Sequence, residues 1–221
     1  MNNSDFIPFK PLNYSENETH AWSAVNYEFM NKRRSVREFS DRPVHKSVIE
    51  NILKAAATAP SGANQQPWTF CAISNPKIKS EIRKAAEEEE FENYHGRMSE
   101  RWVKELEKFG TDHIKPFLDI APWLIVVFKQ TYGLENGEKQ QHYYVNESVG
   151  LATGMLISAI HHAGLVALTH TPSPLNFLTK ILNRPENEKP FLLIPIGYPK
   201  KDAAVPNIKR KALNNVSVWF E

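Results

Sequence analysis

Apolar positions recur along the chain with two different periods. Val48, Ile49, Ile52, Leu53 and Ala56 fall on one stripe at helical spacing. That helix is expected to stop at Pro60-Ser61-Gly62, where proline and glycine break the pattern. Trp68–Ser74, Leu124–Lys129, Leu165–Thr171 and Phe191–Ile196 are short apolar runs bounded by turn residues and read as strands. Asn75-Pro76 caps a further helix that runs through the acidic stretch Glu87–Glu90 towards Tyr94. An amphipathic stretch covers Arg101–Phe109 and ends at Gly110. Glu147–His162 is nearly apolar and rich in small residues, which predicts a buried helix stopped by Gly164.

At the N-terminus a helix is expected over Trp22–Lys32, preceded by an extended arm over residues 1–20 whose Phe6, Ile7 and Phe9 are too apolar for a free tail. Ser173-Pro174 starts a short helix ending near Asn183. The tail 205–221 closes with Val216, Val218, Trp219 and Phe220, an apolar end that a partner subunit could receive. The order α, β, two helices, β, long α, β, α, β predicts a sheet wrapped by helices, in the α+β or α/β class.

Composition narrows the function classes. With 221 residues, 41% hydrophobic and 24% charged, one domain with a substantial core is the default. A net charge of +2 gives no general attraction to nucleic acid or an anionic membrane, so basic chemistry must come from local clusters. The single cysteine, Cys71, excludes an intramolecular disulfide and any multi-cysteine metal site. The start has no basic region followed by an apolar stretch, and no segment approaches the ~20 apolar residues of a spanning helix. His161 and His162 are adjacent and point apart, a poor metal pair; Trp68 and Trp123 read as core.

Two segments carry the chemistry: Arg33-Arg34-Ser35-Val36-Arg37-Glu38-Phe39 after the first helix, and Ala59–Trp68 (APSGANQQPW) before the first strand. A third, VPNIKRK, holds Arg210. Guanidinium groups bind phosphate bidentately and stay charged, and Ser35 and Ser61 add hydroxyls. Lys32, Lys209 and Lys211 read as solvent-facing.

In this order the three segments resemble the nitroreductase superfamily. The resemblance implies an FMN-dependent three-layer α-β-α sandwich, with a mixed central sheet wrapped by helices, in an arm-exchanged homodimer. Its FMN domain would span 21–204, with 205–221 as an arm packing on the partner. It implies that Arg33, Arg34, Ser35, Val36, Arg37, Pro60, Ser61, Gly62, Thr169, His170, Thr171 and Arg210 bind FMN.

A narrower resemblance, to iodotyrosine deiodinases, rests on EEEEFENY, Arg101-Trp102, IKPFLDIAP, FKQ, HYY, AGLVALTHTP and IPIGYPKKDAAVPNIKRK. It implies reductive dehalogenation of mono- and diiodotyrosine by stepwise electron transfer. Glu90, Tyr94 and Lys115 would clamp the amino-acid end of the substrate, and Ala63 N–H its phenolate. Thr171 would sit at flavin N5 as the catalytic group. Glu90 and Tyr94 are i and i+4, hence expected on one helix face, and the charged region 87–115 is expected to act as a lid. A general nitroreductase or flavin reductase, or a non-catalytic FMN or halotyrosine binder, remains the alternative. No nicotinamide motif is evident, so an external NAD(P)H-dependent reductase is the expected electron source. A cytoplasmic enzyme without metal, nucleic-acid or membrane partner completes the expectation.

Overall fold

The computed structural model describes residues 6–221, in two units that divide after Arg33. Of the expected arm over 1–20, residues 1–5 lie outside the described residues. In the first unit an extended segment leads to α1, Glu16–Asn31, which starts well before Trp22. The reason is a capping box: Ser15 Oγ accepts from Glu18 N while Glu18 Oε2 accepts from Ser15 N at 2.9 Å. No residue of α1 is buried, and Trp22, Val25 and Tyr27 are all more than half exposed.

In the second unit the elements are α2 (Lys46–Ala56), β1 (Trp68–Ile73), α3 (Pro76–Glu92), α4 (Glu100–Glu107), α5 (Phe117–Ile120), β2 (Trp123–Gln130), β3 (Tyr132–Glu135), β4 (Glu138–Gln141), α6 (Val145–His162), β5 (Val166–Ala167), α7 (Phe177–Ile181) and β6 (Glu188–Gly197). The main sheet has the order β1-β2-β6-β5, and every named pair in it is antiparallel. The parallel component is a single bridge, Ser35 to Ala167.

The central strand β2 sets the layers. Side chains alternate along a strand, so Leu124, Val126 and Phe128 face one side and Ile125 and Val127 the other. All five are fully buried. With Ile194 and Ile196 of β6, the second set packs on Ile49, Ile52 and Ala56 of α2 and on Val149, Ala152, Leu156 and Ile160 of α6. The first set, with Leu193, packs on Ile82 and Ala86 of α3, Phe117 and Leu118 of α5, and Leu178 of α7. A strand without a polar face requires cover on both sides, and the result is an α-β-α sandwich.

Three sequence expectations change. The run Leu165–Thr171 forms a ladder only at Val166–Ala167, pairing with Ile196 and Gly197. Its next partner is Pro195, which has no N–H to return, and Leu168 N reaches Pro195 O only at 3.4 Å. Pairing resumes where His170 exchanges hydrogen bonds with Leu193, at 2.8 and 3.1 Å. Second, β3 and β4 form a separate hairpin that the apolar pattern did not announce, because its strands are largely polar. Its turn, Asn136-Gly137, has both residues at positive φ, the geometry Asn-Gly favours. Third, α3 ends at Glu92, and Asn93–Arg97 forms one π turn, so Tyr94 does not continue the α-helical face of Glu90.

Truncation of the central strand tests the two-sided burial. Phe128→Ala should lower the unfolding free energy by about 3–5 kcal/mol, read from the denaturant midpoint at unchanged slope.

Candidate functional site

Arg34 begins the second unit, and its guanidinium donates to Pro206 O, which draws the VPNIKRK segment alongside Ser35. Val36 is buried, and its N–H donates to Ala167 O at 3.2 Å. Bridged to β5 in this way, the segment aims the next side chain, Arg37, into a cavity of about 160 Å³. Arg33 closes the first unit, where its amide donates to Met30 O. Arg210 is exposed on the C-terminal segment.

Charge dominates the cavity wall. Glu90 comes from the last turns of α3, Tyr94 from the π turn, Lys115 from the loop before α5, and Thr169–Thr171 from the chain leaving β5. Met98, Trp102 and Leu106 cover it from α4 and the turn before it. The Glu90 and Lys115 side chains are 9% and 4% exposed, and Oε2 lies 3.7 Å from Nζ. Lys115 Nζ also donates to Thr111 Oγ1 at 3.1 Å and to Asp112 O, and it stands 5.6 Å from the Tyr94 ring centroid. Tyr94 Oη donates to Thr111 O at 3.2 Å. The loop holding Lys115 is fixed by its own N–H, which donates to Glu87 Oε1 at 2.7 Å, and Glu87 pairs with Arg83.

Burial acts on every ionisable group here. It raises the Glu90 carboxyl above the usual carboxylate range, against the attraction of Lys115, and lowers the Lys115 ammonium. It likewise raises the Tyr94 phenol and lowers Arg37. His170 is pushed down to about 3 by burial first and then by the Lys115 and Arg37 charges, so its imidazole is neutral. The ring meets Phe117 edge-on at 5.5 Å, on the clamp side. Thr169 and Thr171 are exposed, as alternation in an extended segment predicts.

The proline-serine-glycine turn lies in the other helical layer. It follows Ala59 of the α2–α6 cluster, and a Cβ on Gly62 would meet Tyr143 O at 3.0 Å. Ser61 Oγ accepts from Gln66 N at 2.8 Å, and Gly62 N donates to Ser148 Oγ of α6. Ala63 is left-handed, with φ 48°, and the amides bonded within the turn are those of Asn64 and Gln65. Within one chain, then, the structure brings Arg37, Glu90, Tyr94, Lys115, His170 and Thr171 together and leaves Pro60, Ser61, Gly62 and Ala63 apart from that cavity. The sequence did not single out Met98, Trp102 and Leu106 as cavity-lining; Trp102 and Leu106, one turn apart on α4, were a readable pair, whereas Met98 precedes that helix in extended backbone.

Residues 30–198 match the model of the nitroreductase family. The chain belongs to the nitroreductase family. Within the family its similarity is to iodotyrosine deiodinases. It is 59% identical over 216 residues to the iodotyrosine deiodinase of Haliscomenobacter hydrossis, covering 97% of each chain. It is 48% identical over 220 residues to iodotyrosine deiodinase 1 of Homo sapiens, covering 98% of this chain and 75% of that one. A crystal structure of oxidised iodotyrosine deiodinase bound to FMN and 3-iodo-L-tyrosine superposes with a TM-score of 0.77 at 30% identity, covering 87% of this chain and 99% of that chain. Among the described residues, no helix is long and apolar enough to cross a membrane, and no group of three or more His, Cys, Asp and Glu could hold a metal.

The buried imidazole gives this nitroreductase-family chain an acid-sensitive component. His170 titrates near 3 when folded but near its ordinary 6.5 when unfolded. As the pH falls between those values, only the unfolded chain takes up the proton. Stability from this group is therefore full above 6.5 and declines by about 1.4 kcal/mol per pH unit down to about 3. Denaturant titrations at pH 7 and 5 should show a smaller acid loss in His170→Gln than in the parent chain.

Proposed function

We propose that this chain is an FMN-dependent iodotyrosine deiodinase, removing iodide reductively from mono- and diiodotyrosine. The observation that carries the reading is the buried Glu90–Lys115 pair, in a cavity walled also by Arg37 and Thr171. A carboxylate and an ammonium held side by side can exchange partners with an α-ammonium and an α-carboxylate at no change in net charge. The relatives named above support that choice of ligand.

The donor set fits a flavin mononucleotide. Arg34 and Ser35 lie beside the segment that leads to Arg210, which suits a phosphate dianion with guanidinium and hydroxyl groups from two distant stretches of chain. Arg33, Val36, Arg37, Pro60, Ser61, Gly62, Thr169 and His170 complete the proposed contact set, through side chains or backbone. Bound FMN supplies the electrons, one at a time, that an aryl–halogen bond accepts. The net change consumes two electrons and a proton; it breaks the carbon–iodine bond, forms carbon–hydrogen and releases iodide. Thr171 Oγ1, able to donate and accept, is assigned the hydrogen bond at flavin N5. Ala63 N–H, not engaged in its own turn, is assigned the phenolate. Glu90, Tyr94 and Lys115 hold the amino-acid head, and the segment 87–115 acts as the lid that excludes water.

Glu90 and Lys115 stand in one helical layer and Ala63 follows the other, which supports a homodimer that completes each site with the partner's turn. The exposed apolar residues of α1, together with Val218, Trp219 and Phe220, are surface for such an exchange. An external NAD(P)H-dependent reductase in the cytoplasm is the proposed electron source.

Glu90→Gln and Lys115→Met should each lower kcat/KM for 3-iodotyrosine at least about tenfold, since each removes a charge-assisted contact. Reduction of an uncharged nitroarene should hold within about twofold. Equal loss on both substrates would remove the clamp. A colourless protein that does not bind added FMN would remove the flavin assignment itself.

A further inference from the structure

Among the described residues, His170 Nε2 is the one buried side-chain nitrogen or oxygen without a hydrogen-bond partner. Such a group is costly to leave unpaired, and an orphan in a native fold calls for a reason. Three facts locate that reason in the substrate cavity. The residue is 7% exposed and lines the space between Lys115, Arg37 and Glu90. Its backbone N–H and C=O are both bonded to Leu193, which fixes the main chain from which the ring projects. Burial first, and then the Lys115 and Arg37 charges, hold the ring neutral.

The donor arithmetic around Lys115 shows what is missing. An ammonium has three N–H bonds, and Lys115 gives two of them to Thr111 Oγ1 and Asp112 O. The third faces Glu90. A carboxylate entering the cavity can take that third donor and the Arg37 guanidinium that shares the wall, and still has lone pairs open to a further N–H. A neutral imidazole beside two cations is badly placed to receive an ammonium but well placed to donate N–H to an anion.

We propose that His170 is a substrate-binding residue, donating through Nε2–H to the α-carboxylate of the bound halotyrosine and so completing the shell that Lys115 begins. The proposal rests on the deiodinase reading and extends its clamp to a residue on the flavin-side strand. It ties the amino-acid head to the segment that carries Thr171.

The test measures dissociation constants by quenching of flavin emission in the FMN-loaded protein, for the parent chain, His170→Phe and His170→Gln. Four probes separate the charges: 3-iodotyrosine, 3-iodotyramine without the carboxylate, 3-(3-iodo-4-hydroxyphenyl)propionate without the ammonium, and 2-iodophenol without either. His170→Phe should weaken the two carboxylate-bearing probes roughly tenfold or more and leave the other two within about twofold. His170→Gln, which keeps an N–H of similar reach, should recover most of the loss. Loss on all four probes alike, on the ammonium-bearing pair alone, or on none would overturn the proposal. If Phe does not yield folded protein, Gln against Leu serves the same comparison. A parent chain that binds 3-iodotyrosine no better than 2-iodophenol would instead remove the clamp reading beneath it, a result visible before any variant is made.

Discussion

A strand with no polar face governs how this molecule is built. Leu124 to Phe128 is buried on both sides, so helices must cover the sheet twice. One cover, α3 with α5, ends in the carboxylate and ammonium of the cavity; the other, α2 with α6, ends and begins around the Ser61–Ala63 turn. The layer that shields the sheet therefore also separates two halves of the chemistry. The proposal that one ligand meets both Lys115 and an Ala63 amide thus carries with it the proposed second copy, whose turn would complete the site.

The cover of the cavity follows from the same economy of packing. Helix α4 buries none of its residues, and Trp102 is half exposed. Its place over the cavity rests on few apolar contacts, while a fully buried aliphatic side chain elsewhere contributes ~1.5–3 kcal/mol. The chain on either side of it is better anchored. Asn93 Nδ2 donates to Ser173 O at 2.8 Å, Arg97 pairs with Glu89, and Phe91 stacks on His95 while His113 meets both edge-on. Motion is thus expected to concentrate between the π turn and Gly110, whose φ of 57° suits a glycine.

Much of this was legible in the chain. The apolar runs located β1, β2 and β6, and the helical stripes located α2, α3 and α6, to within a few residues. Asn75-Pro76 marked the start of α3, and its side chain does accept from Lys77 N and Ile78 N. What escaped was governed by local hydrogen bonding, not by hydrophobic period. The Ser15–Glu18 box lengthens α1, the Asn136-Gly137 turn makes a hairpin of polar residues, and Pro195 cuts short the ladder of β5. The residues of the cavity were readable as a set only through a resemblance: the spacing Ile82, Ala86, Glu90 puts Glu90 on the buried face of α3, but nothing in the sequence sets it against Lys115. Tertiary placement decides that pairing.

That pairing also explains why a site with so much charge can be selective. Taking either partner from a buried ion pair leaves the other uncompensated, at about 3–5 kcal/mol. An uncharged aromatic that entered between Glu90 and Lys115 would part them and offer nothing in return. A cation alone would satisfy Glu90 and strand Lys115 beside Arg37; an anion alone would do the reverse. Only a ligand carrying both charges, spaced as on one α-carbon, replaces each lost contact with a new one. Discrimination then comes less from the attraction of the clamp than from the cost of opening it, and that cost is set by burial already present before any ligand arrives.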